Sequence, residues 1–181
     1  MRAHQVTMVL VPHNDEQNNE YLPIDKERLA WISGFTGSAG TALILEDAAI
    51  LFVDGRYTIQ GAEQTDSAHW QVESLIDNPP HTWLQHHAGA ADHIGFDPWL
   101  HTASQVKQLK QSCTTSGAKL QALPENPIDA IWHDQPPTPL EPTRIHDFSF
   151  AGRTTTDKLK EVQAALETNT ADLCLLTDPS S

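Results

Sequence analysis

The sequence predicts an α/β fold, a mixed β-sheet flanked by helices, followed by the start of a second domain of similar build. Three observations carry this. Short β-prone runs alternate with helix-like stretches from residue 6 to residue 123, the order that builds layered α/β domains. Two of the runs, Thr41–Leu45 and Ala49–Val53, are apolar without interruption, as strands buried on both faces are. And four prolines fall within Pro136–Pro142, which suits an extended linker better than a packed element.

Val6–Val11 reads as the first strand, closed by Pro12, with the polar stretch His13–Glu20 as a surface loop. Asp25 is the expected cap of a helix running through Trp31 and Ile32 and ended by Ser33-Gly34. The two apolar runs then form a hairpin across Glu46-Asp47-Ala48. Tyr57–Gln64 suits a short helix, Trp70–Leu75 alternates as a strand does, and Thr82–Ala88 follows Pro79-Pro80 as a helix. Ile94-Gly95-Phe96 is strand-like, Val106, Leu109 and Cys113 recur at helical spacing over Thr102–Cys113, and Lys119–Leu123 reads as a further strand. Beyond the prolines, Thr154–Asp157 opens a helix with Leu159, Val162, Ala165 and Leu166 on one face, and Asp172–Thr177 reads as a buried strand. These boundaries divide the chain into a domain over 1–134, a linker over 135–147 and the beginning of a truncated second domain over 148–181. A lone helix and strand cannot cover both faces of a sheet.

At 181 residues and 39% hydrophobic, the chain is long enough to bury a core. Its formal charge of −13, from 24 acidic and 11 basic residues, repels a phosphate backbone, so nucleic acid and anionic membrane are poor partners. No apolar run reaches the ~20 residues that span a bilayer, and Val6–Val11 is too short for the core of a signal peptide. A cytoplasmic location follows. Cys113 and Cys174 form no CxxC knuckle and read as two buried thiols.

The strongest local signal is Ser33–Thr41, in which Gly34, Gly37 and Gly40 stand three apart. A phosphate-cradling loop needs a strand before it, a helix after it and a terminal Lys; here the order is helix, loop, strand and no Lys is present. Ser38 lacks the Gly-x-Ser-x-Gly frame of a nucleophile elbow. A structural loop remains, in which Gly34, Phe35, Gly37, Ser38 and Gly40 supply positive φ and close backbone approach. The second signal is Asp54-Gly55-Arg56-Tyr57. Asp54 suits a helix cap and Gly55 a turn, while the fork of Arg56 suits either an internal carboxylate or the acidic or C-terminal group of a ligand. Of ten histidines, His81, His86, His87, His93 and His101 crowd one region. No His-x-x-x-His or Glu-x-x-His unit supplies facing metal ligands, so these are expected as surface histidines. Trp132-His133-Asp134 sets a His beside an acid, but no activated serine accompanies it.

Glu20–Pro23, Arg28–Thr41, Asp54–Tyr57 and Gln60-Gly61-Ala62 resemble, in that order, the opening of the long Xaa-Pro aminopeptidases, which carry a creatinase-type amino-terminal domain. The resemblance runs on through Trp83-Leu84, Gly95–Pro98, Asn126–Trp132 and Ala151-Gly152-Arg153. Asn126-Pro127-Ile128 replaces an Asn-Leu before the acid, and Gly61 stands where a Gln-Ala pair is usual. The resemblance implies an enzyme that releases the amino-terminal residue from peptides with proline second, using two divalent ions, usually manganese, held by a carboxy-terminal domain. None of those ligands is expected in this chain, which is inert alone on this reading. It implies roles in homodimerisation and in shaping a substrate channel for proline-containing peptides, with Asp54, Arg56 and Tyr57 nearest to it. A free-standing adaptor, or part of a prolidase or creatinase relative, is the alternative.

Overall fold

A computed structural model of the chain describes residues 1–176. The chain divides into two compact units, Met1–Pro139 and Leu140–Ser181.

The first unit is built on six strands: β1 (Met8–Pro12), β2 (Gly40–Ile44), β3 (Ala49–Val53), β4 (Trp70–Ser74), β5 (His93–Phe96) and β6 (Lys119–Ala122). They form one sheet in the order β4-β3-β2-β1-β5-β6. Only β2 runs against its neighbours, pairing Ala42 with Leu51 on β3 and Val11 on β1. The other five strands therefore end at one edge, where β2 begins. Chain direction across the sheet also reverses at the centre, since β3 leads outward to β4 while β1 leads the other way to β5 and β6.

Period-two alternation sorts the central strands between two cores. Val9, Val11, Ala42, Leu51 and Val53 face one way and pack with Leu29, Phe35, Ile128 and Trp132. Met8, Leu10, Leu43, Ile50 and Phe52 face the other and pack with Leu84, Leu109 and Cys113. Both faces are thus dry at the centre, which is why β1 and β3 read as unbroken apolar runs. Helices α1 (Arg28–Ser33) and α2 (Thr58–Gln64) cover the first face; α3 (Pro80–His87) and α4 (Ala103–Ser116) cover the second. Thr102 closes a full capping box with Gln105 at the head of α4, and Gly117 at φ +84° ends it.

The mixed sheet flanked by helices is as the sequence predicts. Three local readings are corrected. Asp25 does not cap α1: it is buried in a short 3-10 turn, Ile24–Lys26, and its carboxylate accepts from Thr138 at 2.8 Å. The stretch after β1 is not a wholly exposed loop, because His13 and Asp15 are buried. Asp15 holds the loop by accepting from the amides of Gln17 and Asn19 and from the Asn19 side chain. Burial alone would raise its pKa; those hydrogen bonds outweigh it and leave the pKa lowered. The third concerns the crowded histidines. His86 and His87 are exposed as expected, but His81, His93 and His101 are partly buried.

In the second unit, α5 (Phe148–Ala151) is capped by Asp147, and α6 (Thr155–Thr168) by Thr154. On α6 the predicted apolar face exists but is open, with Leu159 57% exposed. The expected buried strand over 172–177 is not formed in its described residues: Leu173, Leu175 and Leu176 are exposed and unpaired by any strand. Strand propensity is fulfilled only beside another strand. Thr177 lies outside the described residues. Of the two thiols, Cys113 is buried, which pushes its pKa up, whereas Cys174 is exposed.

Candidate functional site

The common edge where β1 and β3 end and β2 begins gathers the residues singled out in the sequence. Gly34, at φ +79°, ends α1 and returns its N–H to Ala30. Ser33 then turns the chain, donating to the Leu29 carbonyl at 2.6 Å and accepting from the Phe35 amide at 3.1 Å. This drives Phe35 into the core, 1% exposed. A Cβ on Gly37 would stand 2.3 Å from the Phe35 ring and 2.9 Å from Tyr57, and one on Gly40 would stand 3.0 Å from Phe35. These two glycines are required by crowding, and Gly34 by its backbone angle. Gly37 and Gly40 are therefore packed against the Phe35 ring, while Gly34 faces the Gln64 carbonyl.

Tyr57 meets that ring edge-on, with centroids 5.6 Å apart. Its hydroxyl lies 2.9 Å from the Ser38 hydroxyl, a bond that lowers its pKa. Beside it, Asp54 does not cap α2, whose N-cap is Tyr57 with no side-chain bond. Instead Asp54 accepts the Arg56 amide at 2.9 Å and grips the guanidinium through Nε and Nη2, at 3.0 and 2.7 Å. A short Asx turn wins over the cap because Arg56 offers both donors within two residues. The hydrogen bond to Arg56 holds the Asp54 pKa down, and Asp54 in turn raises that of Arg56. Gly55 has neither a positive φ nor any atom within 4 Å of an added Cβ, so the turn does not depend on it.

The Arg56 side chain is 65% exposed and its carbon Cζ lies 5.1 Å from the Tyr57 ring centre. Among the described residues its Nη1 has no partner. A cavity of about 450 Å³ opens here, bordered by His13, Glu20, Tyr21, Thr36, Arg56 and Tyr57. Sequence reasoning missed the first three as wall residues. They lie in a polar stretch whose only clue to a fixed shape was the run of Asx residues, and the loop is closed by Asp15 and by His13 donating to the Glu20 carbonyl at 3.4 Å.

A metal centre of the kind the family resemblance implies needs several convergent acids or imidazoles. Among the described residues no three His, Cys, Asp or Glu side chains come together to hold a metal ion. The described residues do not fit such a centre.

Residues 1–130 match the model of the Creatinase/Prolidase N-terminal domain. An Xaa-Pro aminopeptidase P of Neosartorya fischeri is 35% identical over 170 residues, covering 92% of this chain and 26% of that protein. Among solved structures, an X-prolyl aminopeptidase from Caenorhabditis elegans, described as a cytosolic enzyme with a di-nuclear active site, superposes with a TM-score of 0.81 at 29% identity. That match covers 92% of this chain and 28% of the enzyme. The N-terminal domain of the cytoplasmic peptidase PepQ from Mycobacterium tuberculosis aligns at a TM-score of 0.52 and 22% identity, which carries the fold alone. The chain spans about a quarter of the length of the curated relatives it matches.

Proposed function

The chain belongs to the creatinase/prolidase N-terminal domain family, and on that premise we propose that it is the non-catalytic amino-terminal portion of an Xaa-Pro aminopeptidase. One observation carries this reading: nearly the whole chain aligns with an X-prolyl aminopeptidase, while that enzyme is more than three times as long. The parent protein then releases the first residue from peptides with proline second, with two divalent ions, manganese on the family resemblance, held outside this chain. The boundary between domains falls in the proline-rich linker, and 148–181 opens a second domain of related fold. Homodimerisation and a cytoplasmic location belong to the same proposal, the latter supported by the cytosolic nematode relative.

Within this reading Asp54, Arg56 and Tyr57 line the approach of a peptide. Asp54 fixes the guanidinium through Nε and Nη2 and leaves Nη1 without a partner among the described residues, so Arg56 is oriented and still has a donor for a peptide carboxylate or carbonyl. Tyr57, tied to Ser38, supplies a fixed flat wall beneath it. The test is direct. The 181-residue chain, incubated with Arg-Pro-Pro and manganese, releases no arginine; measurable turnover by the pure chain overturns the assignment. The same assay on the longest protein read from the gene shows cleavage. If the reading frame instead ends at Ser181, a binding or adaptor role replaces the enzymatic one.

A further inference from the structure

A second cavity, of about 430 Å³, lies on the opposite face of the same sheet edge, between the ends of β1 and β4 and the helices α3 and α4. It sits outside the carboxyl ends of parallel strands where chain direction reverses, the place at which open α/β sheets hold small ligands. Its wall contains no Asp, Glu, Lys or Arg, in a chain with 35 such residues (24 acidic and 11 basic). Leu10, Pro12, Leu75 and Leu109 supply apolar surface. His13, His81, His101, Gln105 and Gln108 are among its polar groups.

Two of the three imidazoles in the wall, those of His13 and His101, have their tautomers set by carbonyl oxygens, which only accept. His101 Nδ1 lies 2.9 Å from the Asp97 carbonyl and His13 Nε2 lies 3.4 Å from that of Glu20, so these nitrogens carry hydrogens, and the acceptor of each uncharged ring is His101 Nε2 or His13 Nδ1. Among the described residues neither bare nitrogen has a donor to accept from. Burial lowers the His101 pKa against the opposing pull of Asp97, which keeps that ring neutral. Gln105 uses its carbonyl oxygen in the α4 cap; among the described residues its amide nitrogen and the Gln108 amide have no partner.

We propose that this cavity binds an uncharged small molecule of the carboxamide class, with N–H donors for the two imidazole lone pairs, a carbonyl for the glutamine amides and an aliphatic body against the leucines. A charged ligand would lose its hydration without meeting an opposite charge. Three probes that share an isobutyl body separate the possibilities: isovaleramide, isovalerate and isoamylammonium, each titrated into the chain with ring-¹⁵N-labelled histidine. Isovaleramide gives saturable shifts of the His13 and His101 ring nitrogens, and the two ions bind at least about tenfold more weakly. Gln108→Leu, at an exposed position on the rim, weakens isovaleramide several-fold with the amide spectrum unchanged, and His13→Phe does the same where it folds. Failure of isovaleramide to saturate, equal or tighter binding of either ion, or indifference of binding to Gln108→Leu overturns the proposal.

Discussion

The first unit contains two forked arginine–carboxylate pairs that look alike on paper and sit in opposite surroundings. Arg28 reaches Asp129, 101 residues away, through Nε at 2.7 Å and Nη2 at 2.9 Å, and shares Nη2 with Glu16 at 3.1 Å; its side chain is 2% exposed. Arg56 grips Asp54, two residues away, with its side chain 65% exposed. The first pair fastens the segment after β6 onto α1, helped by Trp132 stacked on Trp31 at 5.5 Å and by Gln135 donating to the Asp25 carbonyl. The second closes a turn that fastens nothing else. Burial decides which arginine is structure and which is free to meet a ligand.

The largest expected effect is on the buried pair. Arg28→Ala takes from Asp129 its cation among the described residues and leaves Glu16 with Lys26 alone; with both carboxylates partly exposed, the loss of these charge-assisted bonds costs on the order of 1.5–3 kcal/mol and is read from urea unfolding; Arg28→Lys, keeping the charge without the fork, recovers part of it. If Arg28→Ala costs no more than a surface substitution, the contrast between the two pairs collapses. Next comes the platform under Arg56. Gly37→Ala forces a methyl group onto the Phe35 ring, which is itself fixed in the core, and lowers stability by about 1–3 kcal/mol.

Acid tests Glu16, the third member of the cluster around Arg28. Burial pulls the Glu16 pKa up, but its own backbone amide, the Lys26 ammonium and the Arg28 guanidinium outweigh it, so the folded pKa lies below the ordinary 4.5. A depressed carboxylate contributes stability that is fully present above the unfolded value and lost as pH falls through the folded one. Stability is therefore level from pH 8 to about pH 5 on this account and declines below about 4.5; Glu16→Gln flattens that decline. An unchanged acid limb in Glu16→Gln would place the titrating groups elsewhere.

How far the sequence reaches follows the same divide. The unbroken apolar run over 49–53 and the glycine spacing in 34–40 are local, and both point to the right elements: buried strand β3 and a crowded loop before β2. Asp54, Arg56 and Tyr57 meet because they are neighbours, so their proximity was legible. The Arg28–Asp129 pair spans most of the domain, and no local period announces it. His13 and Asp15 read as loop because polarity signals exposure, whereas their burial depends on hydrogen bonds made only once the loop closes. The caps at Asp25 and Asp54 failed for a related reason: a short acidic side chain has several nearby amides and hydroxyls to choose from, and tertiary position decides among them. Residues 172–176 show the reverse error, strand propensity without a sheet edge to join.

Two substitutions in the exposed turn carry the smallest effects on stability and sharpen the comparison most. In the proposed parent aminopeptidase, Arg56→Ala leaves the melting midpoint and metal content unchanged while activity on Xaa-Pro peptides falls on the order of tenfold, the scale of one lost charge-assisted hydrogen bond. A drop in melting midpoint without a change in activity would move Arg56 into the structural class with Arg28. Gly55→Ala should do still less. Gly55 lies between the two members of the exposed pair, yet its φ is not positive and an added Cβ meets nothing within 4 Å. Removing backbone freedom from the unfolded chain at such a position is neutral or stabilising by about 0.4–1 kcal/mol. Thermal unfolding beside Gly37→Ala reads the difference between a glycine the packing demands and one the turn merely contains. A loss as large as that of Gly37→Ala would mean that the Asp54–Arg56 turn is held by more than its own carboxylate.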